Sequence, residues 1–126
     1  MVDKMTNERF ALIVEDDPGQ ADIFSRALQQ AGYETEIIED GRSALARLEE
    51  VVPFLVVLDL QLPYVSGEVI LRHIRADERL VKVWVMLATA NPQMAVVLEN
   101  DSDFVLHKPV SFVQLSLLAK RLQERS

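Results

Sequence analysis

The chain of 126 residues contains no cysteine, which excludes a disulfide framework, a thiolate metal site and a thiol nucleophile, and leaves the cytoplasm as the default compartment. Long apolar runs are also absent. No stretch approaches the roughly 20 residues needed to span a bilayer, and residues 1–9 are polar rather than a charged start followed by an apolar signal core. Neither membrane insertion nor export is expected. Positive charge is in short supply: 13 Lys and Arg against 20 Asp and Glu leave a formal net charge of −7. That disfavours direct contact with nucleic acid, whose phosphates are held by clustered basic side chains. The two histidines, His73 and His107, are too far apart in sequence to form a metal motif. The turn Glu15-Asp16-Asp17-Pro18-Gly19 lacks the glycine-rich loop that lets a backbone approach a pyrophosphate, which sets aside a dinucleotide site.

What is present is the composition of an ordinary globular protein, about half apolar and a quarter charged. The length suits one domain, residues 1–126 with a core at about 9–124 and no attached output domain. Residues 10–14, 54–58 and 83–88 are short apolar runs rich in β-branched or aromatic residues and read as strands buried on both faces. Residues 34–38 and 104–106 read as two weaker strands. Helical patterns lie between them. Asp17-Pro18 caps a helix carrying Ala21, Phe24, Leu28 and Ala31, which Gly32 stops. Asp40-Gly41 opens a second through Ala44, Leu45 and Leu48, with Pro53 closing the following turn. A third spans 65–76 with Val69, Ile70, His73 and Ile74 on one side; Asn91-Pro92 starts a short fourth ending near Glu99, and a fifth covers 110–124. Regular alternation of strands and helices predicts an α/β fold: a doubly wound, five-stranded parallel sheet with helices on both faces, taken here in the flavodoxin-like order 2-1-3-4-5.

In such sheets ligands bind beyond the carboxyl ends of the strands, where the strand order reverses. Four strand ends carry polar residues: Glu15-Asp16-Asp17, Asp59, Thr89 and Lys108. If the order is 2-1-3-4-5, the first and third strands are neighbours at the reversal, and Glu15, Asp16 and Asp59 share a small space. Their repulsion calls for a cation, and hard oxygen donors without histidine or cysteine suit Mg²⁺. Each residue also has a plainer reading. Asp17 caps a helix; Asp59 is read equally well as a turn residue before Leu62-Pro63; Lys108 alone is a solvated lysine before a turn, and Thr89 an ordinary hydroxyl near a helix start.

Taken together, Leu12-Ile13-Val14-Glu15-Asp16-Asp17 with Pro18, Val57-Leu58-Asp59-Leu60-Gln61-Leu62-Pro63 followed by Gly67, Leu87-Ala88-Thr89-Ala90, and His107-Lys108-Pro109 resemble the receiver domains of two-component response regulators, over residues 10–122. The resemblance implies a bacterial phosphorelay protein in which Asp59 accepts a phosphoryl group from a histidine kinase or a histidine phosphotransfer protein. It implies a Mg²⁺ site, open to Mn²⁺, made by Glu15, Asp16, Asp59 and the Gln61 backbone carbonyl. Thr89 and Lys108 would bind the phosphoryl group, and Pro63, Gly67 and Pro109 would shape the loops, a cis bond before Pro109 aiming Lys108 inward. Such a domain assists its own phosphorylation and dephosphorylation without being a turnover enzyme. The fourth helix, fifth strand and fifth helix would meet a downstream protein.

The chain departs from the family pattern on that output side. Val105 stands where receivers often have Tyr or Phe, with Phe104 on the opposite strand face, and Asn100-Asp101-Ser102-Asp103 replaces the usual Gly-Ala. These departures suggest an alternative, an interaction module that no longer uses phosphate. A phosphatase with an aspartyl nucleophile is disfavoured, because its second aspartate would fall at Gln61. The fifth helix carries two apolar rows, Phe112, Leu115, Ala119 and Leu122 beside Val110, Val113 and Leu117, broad enough to leave an exposed strip for a partner or a homodimer.

Overall fold

The computed structural model describes residues 7–125. Five strands alternate with five helices: β1 (Asn7–Val14), α1 (Pro18–Gln30), β2 (Glu34–Ile38), α2 (Gly41–Glu50), β3 (Pro53–Asp59), α3 (Gly67–Ala76), β4 (Trp84–Thr89), α4 (Pro92–Leu98), β5 (Phe104–His107) and α5 (Phe112–Arg125). All strand pairs are parallel, as the alternation predicts, and the order is β2-β1-β3-β4-β5, the order taken for the sequence. Because a right-handed crossover must pass over the sheet, each reversal of direction places helices on the other face. The result is a sheet between two helical layers.

Side-chain alternation along the strands splits the core accordingly. Ala11, Ile13, Leu55, Val57, Met86 and Ala88 meet Phe24, Ala27 and Leu28 of α1 and Leu115, Ala119 and Leu122 of α5. Leu12, Val14, Val56, Leu58, Val85 and Leu87 meet Ala44 and Leu48 of α2, Ile70, Leu71 and Ile74 of α3, and Leu98 of α4. All seven β3 residues are buried, so the strand at the centre of the sheet has no solvent face and reads as an unbroken apolar run. The Tyr33 hydroxyl donates to the Ala119 carbonyl at 2.7 Å and pins α5 to the sheet's lower corner; burial pushes its phenol pKa up.

The helix starts follow their caps. Asp17, Asp40, Ser66 and Asn91 each accept from the first-turn backbone, and α1 is stopped by Gly32 at φ +97°. Several boundaries differ from the sequence expectation. Helix α3 begins at Gly67 rather than at 65, because Ser66 caps it and residues 63–65 form a turn. Helix α5 begins at Phe112, where Ser111 accepts from Gln114 N–H. Pro53 opens β3 rather than closing the preceding turn, a strand-start position that needs no ladder N–H. On α3 Val69 is 49% exposed and the buried row is Ile70, Leu71 and Ile74. The substituted turn at 100–103 is held by Arg75, which donates to the carbonyls of Val81, Val83 and Asp101 and pairs with Asp103 at 2.8 Å; Asp103 in turn accepts from Val85 N–H.

Two glycines let neighbouring segments touch near the upper edge of the sheet. A Cβ on Gly67 would lie 2.3 Å from the Asp59 carbonyl oxygen, and one on Gly41 would lie 2.0 Å from the Val65 carbonyl oxygen. Both obstacles are backbone, so neither can swing aside. Gly41→Ala is expected to lower stability by about 1–3 kcal/mol through this overpacking, read as a lower urea midpoint with an unchanged slope.

Candidate functional site

The parallel strands all end on one edge, and the residues that follow them converge there. Glu15 leaves β1 with its N–H still bonded to the Ile38 carbonyl at 3.0 Å, and Lys108 leaves β5 with its N–H on the Thr89 carbonyl at 2.9 Å. Strand pairing therefore continues one residue past each strand and fixes where these two side chains begin. The bond between Lys108 and Pro109 is cis. Glu15 and Asp59 are buried, while Asp16 is exposed at the rim. Carboxylate oxygens of Glu15, Asp16 and Asp59 lie within 4.8 Å of one another.

Lys108 spans the cluster. Its Nζ donates to Glu15 Oε1 at 2.9 Å and sits 3.3 Å from Asp59 Oδ2. The remaining oxygens of the two buried acids meet backbone donors: Asp17 N–H reaches Glu15 Oε2 and Gln61 N–H reaches Asp59 Oδ1, both at 3.1 Å. Asp17 thus both caps α1 with its side chain and holds Glu15 with its backbone, a second contribution that no sequence pattern discloses.

One lysine does not offset three carboxylates. Burial pushes the Glu15 carboxyl up to about 7, with Asp59 adding repulsion, against the lowering effects of Lys108 and the Asp17 N–H. For Lys108, burial works against the ammonium, but pairing with Glu15 and Asp59 outweighs it and holds the pKa above its usual value. The donor set of clustered hard oxygens short of positive charge fits a divalent cation such as Mg²⁺.

Thr89 is buried at the end of β4, and its hydroxyl is engaged by Asn91, accepting from the N–H at 2.9 Å. Gln61 is exposed in the β3–α3 loop beside Asp59. Val105 pairs in register with Leu87 and packs on the α2–α4 side of the sheet, whereas Phe104 packs on the α1–α5 side against Trp84, with ring centroids 6.2 Å apart. The aromatic side chain therefore lies across the sheet from the position next to Thr89. Gly67 N–H donates to the Leu60 carbonyl and Pro63 shapes the turn that follows Gln61. On α5, Leu115, Ala119 and Leu122 of the first apolar row are buried but Phe112, which heads that row, is exposed, as are Val113 and Leu117 of the second. His107 is exposed.

A protonation profile follows for the metal-free protein. The Glu15 carboxyl titrates near 4.5 when unfolded and about 7 when folded, so between those values the folded state holds more protons and stability falls as pH rises. Thermal melts from pH 5 to pH 8 are expected to lose on the order of 3 kcal/mol from this group. Glu15→Gln should flatten the profile in that window.

Comparison with known proteins agrees with this geometry. A family model for the response regulator receiver domain matches residues 11–120. The DNA-binding response regulator MtrA of Mycolicibacterium smegmatis is 36% identical over 98 residues, 78% of this chain and 43% of that protein. The DNA-binding dual master transcriptional regulator RpaA of Synechocystis is 31% identical over 118 residues, 91% of this chain and 49% of that one. The chain thus spans less than half the length of these relatives. Among solved structures, the signal receiver domain of a signal transduction histidine kinase from Syntrophus aciditrophicus superposes with a TM-score of 0.82 at 33% identity, covering 92% of this chain and 90% of that one. The receiver domain of a sensor histidine kinase from Pseudomonas aeruginosa, which has a magnesium ion coordinated in its active-site cleft, gives 0.83 at 27%, covering 92% and 98%. With the sheet order, the clustered carboxylates and these likenesses in agreement, the chain belongs to the response regulator receiver domain family of two-component signalling.

Proposed function

We propose that Asp59 accepts a phosphoryl group from the phosphohistidine of a histidine kinase or a histidine phosphotransfer protein. The observation that carries this reading is the Lys108 ammonium, which bridges Glu15 and Asp59 within 3.3 Å at the edge of the sheet. An Asp59 oxygen forms the new bond to phosphorus, the bond from phosphorus to the imidazole nitrogen breaks, and the imidazole leaves with the electron pair. Lys108 then exchanges part of its hold on carboxylate for the incoming phosphoryl oxygens, a charge-assisted contact of the kind that stabilises phosphoryl transfer. Thr89 supplies a hydroxyl once it releases Asn91. Glu15, Asp16, Asp59 and the Gln61 carbonyl would hold Mg²⁺, or Mn²⁺ in its place. The bound ion supplies positive charge against the phosphoryl oxygens.

In this reading the domain is a switch that assists its own phosphorylation and dephosphorylation, not a turnover enzyme. It acts in the cytoplasm; among the described residues no helix is long and apolar enough to cross a membrane. The output is contact with a downstream protein through α4, β5 and α5, or a homodimer on the same face, where Val96, Val97, Val113 and Leu117 are exposed. The relatives' DNA-binding names describe chains about twice as long. Val105 keeps a second reading open, a receiver-like interaction module independent of phosphate.

Intact-mass analysis after incubation with acetyl phosphate or phosphoramidate separates the two. A magnesium-dependent phosphoryl adduct is expected on the wild type and none on Asp59→Asn, while Lys108→Ala should slow adduct formation by at least about 10-fold, as for loss of one donor to a developing oxyanion. Absence of an adduct under every condition would favour the phosphate-independent module.

A further inference from the structure

The loop between β3 and α3 passes Gln61 and then turns sharply. Tyr64 has φ 70°, and the Val65 N–H donates to the Pro63 carbonyl at 2.8 Å. This is a γ-turn closed around a residue of positive φ, a strained conformation for any side chain larger than glycine. Strain of this kind persists only where the surroundings over-determine it. Here the start of α2 supplies a support from within. The Pro63 carbonyl also accepts from Gly41 N–H at 3.3 Å, and Gly41 lies flush against Val65. On the solvent side, Arg42 places its guanidinium carbon 4.7 Å from the centre of the Tyr64 ring, which is 76% exposed.

We propose that Arg42 is a positioning residue for the acceptor site. Its stack on Tyr64 holds the strained turn, and through the turn it holds Gln61 beside Asp59. The inference rests on the reading of this edge as a Mg²⁺-dependent phosphoryl-acceptor site. Only three peptide links separate Gln61 from Tyr64, and Gln61 N–H already donates to Asp59 Oδ1. Without the cation, Tyr64 relaxes toward negative φ, Pro63 moves, and the Gln61 carbonyl leaves its place in the proposed metal site. With Arg42 seated, the aromatic ring has a partner only in the left-handed arrangement. The ordinary alternative is a surface contact between Arg42 and Tyr64 that affects nothing else.

The test titrates Mg²⁺ calorimetrically into the full chain as wild type, Arg42→Gln, Tyr64→Gly and the double variant, with amide exchange measured on the same metal-free proteins. Arg42→Gln is expected to weaken Mg²⁺ binding by about 2- to 5-fold, the factor for a cation–π contact at an exposed site, and to speed exchange of the Val65 amide by a similar factor. In the Tyr64→Gly background it should change neither, because glycine adopts the left-handed conformation without support. The cycle also cancels any plain charge effect of losing an arginine near the site. Equal losses in both backgrounds, an unchanged Mg²⁺ affinity in Arg42→Gln, or unchanged Val65 exchange would each overturn the proposal. If the wild type takes up no Mg²⁺, the functional reading fails instead, and Val65 exchange alone decides whether Arg42 holds the turn.

Discussion

Three carboxylates and one lysine meet at a sheet edge with too little positive charge between them, and most of the structure can be understood as the means of forcing that meeting. With all four groups ionised the cluster would carry two net negative charges, three negative against one positive. In the metal-free protein part of the excess is relieved by protonating Glu15, whose burial raises its pKa to about 7. A proton is a poor substitute for a dication, since it satisfies one oxygen of Glu15 and still leaves two carboxylates against the single charge of Lys108, which lies 3.3 Å from Asp59. A site that must choose between a proton and a metal ion has metal affinity that rises with pH through the same range.

The meeting is forced by topology more than by any local preference. Glu15 and Lys108 are 93 residues apart, yet parallel strands started at one edge must end at the other, and the order β2-β1-β3-β4-β5 puts β1 beside β3. The body of β3 and the interior residues of β1 and β4 are buried on both faces and carry no charge, whereas the edge strand β2 holds Glu34 and Glu36. The polar groups of the site therefore sit on the last residue of a strand, as Asp59 and Thr89 do, or just past it, where one more backbone bond, Glu15 to Ile38 and Lys108 to Thr89, still fixes the position. Gly67 completes the packing by letting α3 approach the Asp59 backbone to a distance that a side chain would block.

Much of this was legible in the sequence, for reasons that differ by element. Strands β1, β3 and β4 stand out because double burial turns each into an apolar run, and the helix starts stand out because Asp17, Asp40 and Asn91 are side chains that cap. The start of α3 was not legible: Val65 fits a helical spacing, and nothing in periodicity reveals that Tyr64 takes a positive φ. Val69 was misplaced for a related reason, since Val69 and Ile70 are adjacent apolar residues and only the neighbouring layer decides which one turns inward. At the site, residue types and strand ends pointed to Glu15, Asp16 and Asp59 as neighbours, and the family resemblance added Lys108. The direction of the Thr89 hydroxyl, the Asp17 N–H on Glu15 and the Arg42 stack on Tyr64 depend on local geometry that no spacing rule carries.

The same geometry constrains how a change at Asp59 could reach the outer face. In the absence of an aromatic at Val105, the most direct connection from Thr89 is its hydroxyl bond to the backbone of Asn91, the residue whose side chain caps α4 by accepting from Gln93 and Met94. Any inward movement of the Thr89 hydroxyl breaks that bond and disturbs the cap of a helix only seven residues long. At its other end α4 leads into a turn fastened to α3 and β4 by Arg75 and Asp103. A short helix tied firmly at its exit and by one hydroxyl at its entrance responds at the entrance. The exposed Val96 and Val97 lie on the body of that helix, so in the proposed switch a shift of its first turn would move them without requiring a swinging side chain in β5.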